Sequence, residues 1–229
     1  MKKKIAVLAG DGIGPEVMKE ALCVLQKVAC IFGHSFDLEH ALVGGCAFDR
    51  YNCHLPEDTI AICQKSDAIL FGSVGGPVEL ANDPKWLDCE RNSILAMRKH
   101  FQFAVNFRPI KVYRQLSGLS PLKDNVVGMG VDLLVVRELV GDCYFGKHEI
   151  SVSQAGRLAT DESSYTEAQI RTAAHAAFKA AQKRRSHVTS VDKANVLITS
   201  RLWREVVSEV AASYPDVEHL DMLVDNCAM

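Results

Sequence analysis

The order of apolar and polar residues predicts a strand, a turn and a helix at the start of the chain. Residues 4–9 form a short apolar run, which is typical of a buried strand. The glycine-rich segment 10–14 makes a turn, and Pro15 suits the first position of a helix. Apolar residues then recur at helical spacing over 17–32, and Gly33 is a natural stop.

The same order of elements returns further along the chain. A helix is predicted to begin near Pro56, and it is followed by a strand over 68–71. The glycine-rich loop Gly72–Pro77 comes directly after that strand. Because strands and helices alternate, the sequence predicts an α/β fold with a largely parallel sheet.

The middle of the chain has weaker patterns. A helix over 93–101 precedes strand-like runs at 104–106 and 131–136. Segment 147–164 is polar and has no clear period. Either a surface arm or a hairpin accounts for it, and the sequence leaves both open.

A helix, a strand and a second helix are predicted in the last third. Thr166 and Gln169 form a capping box, which marks the start of a helix. A strand over 187–191 follows, and a helix over 200–214 ends before Pro215.

Composition narrows the class of protein. The 229 residues carry a formal net charge of −2, which gives no electrostatic basis for nucleic-acid binding. No apolar run approaches the roughly 18 residues that a membrane span needs, so we expect a soluble, cytoplasmic protein. None of the eight cysteines forms a C-x-x-C pair, and those in apolar surroundings, such as Cys23 and Cys30, are expected to be reduced and structural.

Three arginines are the main candidates for ligand binding. Arg98 and Arg108 stand ten positions apart, and Arg137 follows at the end of an apolar run. An arginine at the end of a buried strand needs an anionic partner, and guanidinium groups hold carboxylates in a fixed orientation. The sequence therefore predicts a pocket for a small molecule with several carboxylates, as in a metabolic enzyme.

The two glycine-rich loops are less specific. Glycines at 10, 12 and 14 do not fit the G-x-G-x-x-G dinucleotide pattern, and a tight turn explains them without a ligand. Segment Gly72–Pro77 follows a strand, where α/β proteins place ligands. It is either a phosphate or nicotinamide loop, or a plain tight connection.

Three further side chains could carry chemistry. Tyr144 is either a packing ring or, near arginines, a proton donor. Lys193 follows a predicted strand and is either solvated or, beside other cations, a base. Asp225 ends another apolar stretch and could bind a metal, although one carboxylate does not make a hard-cation site.

Five motifs together resemble one family. They are Gly-Asp-Gly-Ile-Gly-Pro-Glu-Val (10–17), Gly-Ser-Val-Gly-Gly-Pro (72–77), Val-Arg-Glu-Leu (136–139), Tyr-Phe-Gly (144–146) and Ser-Val-Asp-Lys-Ala-Asn-Val-Leu (190–197). The chain resembles the isocitrate/isopropylmalate dehydrogenases, which are β-decarboxylating enzymes, over essentially its whole length. This resemblance implies that family's fold, with a mixed or parallel sheet, flanking helices, and a second domain with a dimer-forming arm.

The resemblance also implies roles for the candidate residues. Arg98, Arg108 and Arg137 would clamp the carboxylates of a malate-type substrate. Lys193 would act as the base that takes the hydroxyl proton, and Tyr144 would protonate the carbon left after CO₂ departs.

Cofactor contacts follow from the same resemblance. NAD would lie along Ile13, Gly75, Gly76, Pro77 and Glu90. Mg²⁺ or Mn²⁺ would be the metal.

The metal and dimer contacts come from the end of the chain. Asp225 would ligate the metal and contact the substrate. Asn195 and Val196 would contact the substrate only. A homodimer is implied, in which Lys193 and Asp225 reach into the neighbouring subunit's site.

Two positions before Arg98 bear on the choice of substrate. Isocitrate dehydrogenases place Ser or Thr and Asn where this chain has Asn92 and Ile94. An aliphatic Ile94 suits an isopropyl group, so we expect oxidation and decarboxylation of (2R,3S)-3-isopropylmalate to 4-methyl-2-oxopentanoate in leucine biosynthesis. One apolar contact supplies only about 1–3 kcal/mol of discrimination, so tartrate, homoisocitrate and isocitrate remain alternatives.

The resemblance further implies how the chain is divided. Residues 1–103 would be the first part of a cofactor-binding domain, and 104–229 an incomplete substrate and dimerisation domain. Chains of the family continue well past the position of Met229, with further metal-binding aspartates and an adenosine loop. The expectation is therefore either the N-terminal portion of a working dehydrogenase or a truncated, inactive fragment.

Overall fold

The computed structural model describes residues 1–128 and 130–229 and divides them into two compact units. Unit 1 comprises Met1–Phe101, and unit 2 comprises Gln102–Met229. None of the described helices is long and apolar enough to cross a membrane.

Unit 1 is built on a three-stranded parallel sheet. Its elements are β1 (Lys2–Gly10), α1 (Gly14–Phe32), β2 (Ser35–His40), α2 (Gly45–Tyr51), α3 (Glu57–Gln64), β3 (Ala68–Ser73), a 3₁₀ turn (Val78–Leu80), a π turn (Arg91–Leu95) and α4 (Ala96–His100). The strand order is β2-β1-β3, with β1 in the centre. The predicted parallel arrangement is confirmed in this unit.

The central strand β1 separates two apolar clusters. Successive side chains of a strand point to opposite faces, so Ala6 and Leu8 pack on one side while Ile5 and Val7 pack on the other. The predicted end of α1 is confirmed, because Gly33 ends the helix with a φ of 62°. The helix begins at Gly14, one residue before the predicted first position at Pro15. A Cβ atom at Gly14 would lie 2.1 Å from the carbonyl oxygen of Ala9, so close packing alone requires this glycine.

The structural role expected for two cysteines is wrong. Cys23 and Cys30 lie on the exposed side of α1, whereas Cys63 and Cys89 are buried. The buried residues of α1 are Gly14 and Met18, and neither cysteine is among them.

Unit 2 mixes parallel and antiparallel pairs. Its elements are β4 (Val105–Lys111), a 3₁₀ turn (Arg114–Leu119), α5 (Asp124–Val127), β5 (Asp132–Glu138), β6 (His148–Ser153), β7 (Gly156–Asp161), α6 (Glu167–Gln182), β8 (His187–Asp192), α7 (Ile198–Ala211), β9 (Glu218–Leu223) and α8 (Val224–Ala228). Strands β4–β5 and β6–β7 pair antiparallel, and β8–β9 pair parallel. The alternation of strands and helices does not give a largely parallel arrangement in this unit, whereas the mixed arrangement implied by the resemblance is found.

The core of unit 2 lies between α6 and α7. Phe178 is fully buried, and its ring stacks on Tyr214 with centroids 5.1 Å apart. The capping box predicted at Thr166 and Gln169 is present, with each residue bonding the backbone amide of the other. Of the two alternatives for segment 147–164, the hairpin is correct.

Candidate functional site

Unit 1 brings two loops together at the carboxyl edge of its sheet. Strands β1 and β3 run side by side, with Gly10 opposite Ser73, so the segments after them leave the sheet at one edge. Ile13 lies in the first loop and Gly75–Pro77 in the second. Ligands in α/β proteins bind at this kind of edge, and Ile13 is more than half exposed there.

Asp11 ties these loops together, a role that was not among the sequence-based predictions. Its buried carboxylate accepts backbone amides from Gly45 at 2.7 Å, Cys46 at 2.8 Å and Gly75 at 3.3 Å. A carboxylate that collects amides from separate segments fixes their relative positions. Its place between Gly10 and Gly12 was the available signal, because a polar residue inside a tight turn often bonds backbone.

Packing accounts for the glycines of the second loop. A Cβ atom at Gly76 would lie 2.2 Å from the ring of Trp86, and one at Gly75 would lie 2.6 Å from Oε1 of Glu90. A Cβ atom at Gly45 would also lie 2.2 Å from the Trp86 ring. A tight connection is therefore sufficient to explain these glycines, and Pro77 is exposed.

Ile94 and Arg98 lie across the junction of the π turn and α4. Both side chains are half-buried, and they are four residues apart, a spacing that puts helical side chains on neighbouring turns. Asn92 is exposed in the same π turn. These residues belong to unit 1, unlike the other two arginines.

Unit 2 places Arg108 and Arg137 on one face of the β4–β5 pair. Arg137 is opposite Asn106, and Arg108 is two residues further along the same strand as Asn106, so all three side chains share a face. Arg108 Nε donates to Asn106 Oδ1 at 2.8 Å. The guanidinium of Arg137 lies 5.4 Å from the ring centroid of Tyr144, a cation–π contact.

A buried carboxylate shapes the turn between Arg137 and Tyr144. Glu138 accepts the amides of Val140 and Gly141, each at 2.8 Å. Tyr165 packs against Gly141, and burial raises the pKa of that phenol to about 12. Glu138 was missed because it reads as an ordinary charged residue after Arg137.

Lys193 and Asp225 meet in unit 2. Strands β8 and β9 are parallel neighbours, with Asp192 opposite Leu223, so both residues follow the carboxyl ends of adjoining strands. The ammonium of Lys193 forms an ion pair with Oδ2 of Asp225. Its hydrogen bond and charge hold the pKa of the Asp225 carboxyl below the ordinary value.

The described residues do not make a complete metal site. Among residues 1–128 and 130–229, no three His, Cys, Asp or Glu side chains are grouped as ligands would be. Asp225 already faces a cationic ammonium, and a hard cation prefers six or more oxygen ligands. Asn195 and Val196 are exposed beside this pair in sequence.

Comparison with known proteins decides the family. A model of the family "Isocitrate/isopropylmalate dehydrogenase" matches residues 4–229. The chain belongs to this family. It is 50% identical over 229 residues to the 3-isopropylmalate dehydrogenase of Desulfotalea psychrophila, and the alignment covers 99% of the chain and 64% of that protein. The 3-isopropylmalate dehydrogenase of Bacillus subtilis is 47% identical, with 100% of the chain and 62% of the relative covered.

Solved structures of related proteins have the same fold. The isocitrate dehydrogenase of Methylococcus capsulatus superposes with a TM-score of 0.82 at 25% identity, covering 99% of the chain and 62% of that structure. The TT0538 protein of Thermus thermophilus gives a TM-score of 0.81 at 27% identity, covering 99% of the chain and 42% of that structure. The expected fold class is thus confirmed. The chain spans about two thirds or less of the length of these relatives.

Proposed function

We propose that the chain carries the substrate clamp and the acid–base residues of a 3-isopropylmalate dehydrogenase. Curated relatives of that name are 44–50% identical to it over nearly all of its length. The proposed reaction is the NAD-dependent oxidation and decarboxylation of 3-isopropylmalate in leucine biosynthesis. A homodimer belongs to the same proposal, as does the division of labour between a cofactor-binding and a substrate-binding domain.

The arginines supply charge of the sign that the substrate requires. Arg108 and Arg137 present two guanidinium groups on one strand face, where each can bond a carboxylate in a bidentate manner. Arg98 and Ile94 keep their predicted roles as contacts for the malate carboxylate and the isopropyl group. Such contacts fix the orientation of the substrate before any bond changes.

Two residues move protons in this proposal. Lys193, in its neutral amine form, takes the proton from the substrate hydroxyl as hydride departs to NAD. Tyr144 returns a proton to the carbon from which CO₂ has left. The guanidinium of Arg137 lies over the Tyr144 ring, which places this phenol beside the proposed carboxylate clamp.

Bound NAD would supply the hydride acceptor at the edge formed by Ile13, Gly75, Gly76, Pro77 and Glu90. The exposed side chains of Ile13, Pro77 and Glu90 at this edge support this placement. The metal is not supported in the same way, because Asp225 is a single carboxylate in an ion pair and no ligand group is found among the described residues. No step of the proposal runs through a cation.

The single observation that carries the proposal is the ion pair of Lys193 with Asp225 at the ends of two adjacent parallel strands. Lys193 and Asp225 are 32 positions apart in sequence, and the pairing of β8 with β9 brings them together at this edge. Ligand sites of α/β proteins lie at such strand ends.

The test is NADH formation by the chain with 3-isopropylmalate and Mn²⁺. Loss of a general base lowers turnover by about 10²–10⁴-fold, so Lys193→Ala should nearly abolish the signal. Lys147→Ala is the matched control, since Lys147 also pairs with a carboxylate, on the exposed hairpin. Equal turnover of Lys193→Ala and the unaltered chain would refute the proposed role of Lys193.

A second candidate is binding of the malate without turnover. The chain spans 62–64% of its curated relatives, and its described residues hold no group of metal ligands. Calorimetry with 3-isopropylmalate distinguishes the two candidates: binding that Arg137→Met abolishes, without NADH formation, supports this one. Tartrate, homoisocitrate and isocitrate in the same measurement test the choice of acid.

A further inference from the structure

The turn that carries Lys193 is attached at four points to the beginning of α7. Helix α7 starts at Ile198, and four of its first seven residues, Ser200, Arg201, Trp203 and Arg204, bond the segment from Ser190 to Ala194.

The first contacts fix the backbone of Lys193 itself. Its amide donates to Oγ of Ser200 at 3.1 Å. Its carbonyl accepts the amides of Val196 and Leu197 at 3.0 and 2.9 Å. Both backbone groups of Lys193 are therefore engaged, and the Cα–Cβ direction of the side chain is set.

The second set of contacts fixes the flanking residues. Arg204 donates to both carboxylate oxygens of Asp192, each at 2.8 Å, and the Asp192 side chain is 1% exposed. The same carboxylate accepts the amide of Ala194 at 2.8 Å, and the carbonyl of Ala194 accepts Nε of Arg201 at 3.1 Å. Residues on both sides of Lys193 are thus held to the helix.

We propose that Ser200 and Arg204 are positioning residues, which aim the Lys193 ammonium at Asp225 by locking the Asp192–Ala194 turn onto α7. Neither residue bonds the ammonium, and each acts through the backbone or through Asp192. A lysine side chain has several freely rotating bonds, so an ordered ammonium requires that the backbone of the lysine is held in place. The catalytic meaning of this positioning rests on the proposed role of Lys193.

The geometry separates the two residues by chemistry. Ser200 contributes one neutral hydroxyl, and its loss leaves no buried charge. Arg204 neutralises a buried carboxylate, and its complete removal leaves that charge unpaired, which destabilises a fold strongly. Ser200→Ala is therefore the cleaner perturbation, and Arg204→Lys is the milder change at the second position because it keeps the charge and loses the bidentate geometry.

The test is NMR relaxation of the lysine side-chain ammonium groups in the 229-residue chain, which needs no turnover. We expect the order of the Lys193 ammonium to fall in Ser200→Ala and in Arg204→Lys, toward that of Lys147, an exposed lysine with a carboxylate partner. Ser200→Thr keeps the hydroxyl and should restore the order. Lys147 serves as the internal reference in every spectrum.

Arg171→Met is the matched control. Arg171 also forms ion pairs in unit 2, with Glu167 of α6 and Glu209 of α7, but it does not bond the Lys193 turn. It should leave the Lys193 ammonium unchanged. An unchanged Lys193 ammonium in both Ser200→Ala and Arg204→Lys, or an equal loss of order in Arg171→Met, would overturn the proposal.

Failure of this inference is distinguishable from failure of the proposed function. If the variants lose ammonium order but the unaltered chain forms no NADH, the positioning inference stands and the catalytic role of Lys193 is refuted. If the unaltered chain forms NADH but the variants keep the order of the ammonium, the catalytic role stands and the positioning inference is refuted.

Discussion

Removal of the Asp11 carboxylate should unfold the ligand edge of unit 1. Asp11 accepts three backbone amides, from Gly45, Cys46 and Gly75, which are 34, 35 and 64 positions away in sequence. In Asp11→Ala these donors lose their partner, while Gly45 is buried and Cys46 and Gly75 are partly buried. The change therefore disconnects α2 and the loop after β3 from the first turn.

The magnitude follows from the bond lengths. Two of the three bonds are short, at 2.7 and 2.8 Å, and the third, at 3.3 Å, is weak. A hydrogen bond to a charged group contributes about 1.5–3 kcal/mol, so the two short bonds together contribute about 3–6 kcal/mol. Because domains are stable by about 5–15 kcal/mol, this loss is a large share of the free energy of unfolding of unit 1.

Each unit contains one tryptophan, which makes the assay specific. Trp86 lies in unit 1 beside the loop held by Asp11, and Trp203 lies in unit 2. Urea unfolding followed by fluorescence in a Trp203→Phe background reports on unit 1 alone. With a slope of about 2 kcal/mol per molar urea, the midpoint should fall by about 2 M.

Two companion variants define the comparison. Asp83→Ala removes an exposed carboxylate that accepts one amide, that of Lys85, near the same tryptophan, and it should change stability by about 0.5 kcal/mol or less. Asp11→Asn keeps one acceptor oxygen and should fall between the two. If Asp11→Ala unfolded at the same urea concentration as Asp83→Ala, the carboxylate would not be holding the loops.

Two further predictions concern unit 2. Phe178→Ala removes a fully buried ring stacked on Tyr214 and should cost about 3–5 kcal/mol, measured by the Trp203 fluorescence midpoint in urea. The hydrogen bond and charge of Arg184 lower the pKa of Asp132, so Arg184→Ala should raise that pKa toward its ordinary value in an NMR titration. Because the pKa of Asp132 is lower in the folded state, the pair stabilises unit 2 fully at pH values above the ordinary pKa of an aspartate, and this stabilisation is lost as the pH falls through the folded-state pKa. An Asp132 titration that is identical in the variant and the unaltered chain would contradict the pairing.

Features encoded by local patterns could be predicted from the sequence. Gly33 ends α1 because it tolerates a positive φ, and the capping box at Thr166 starts α6, both within a few residues of the signal. Strand β2 was missed because its sequence, Ser-Phe-Asp-Leu-Glu-His, is largely polar, and its place is set by pairing with β1.

The candidate site likewise contains residues that a sequence motif identified and residues that it did not. The motif around Lys193 identified that residue, and the strand order then brought it to Asp225. Glu138 was missed although its partners are local. The distant partners of Asp11 could not be found, because the backbone amides of Gly45, Cys46 and Gly75 reach it only after folding. The contacts of α7 to the Lys193 turn were invisible for the same reason.

The Trp86 ring occupies the space that side chains at Gly45 and Gly76 would need. The residue types that can stand at these three positions therefore depend on one another, although the positions are far apart in the chain. An alanine at either glycine can be accepted only after residue 86 has become smaller, and a smaller residue at 86 first opens a void that the glycines cannot fill. The route between two such sequences passes through a less stable protein, so we expect the three positions to change together or not at all when descendants of this chain diverge.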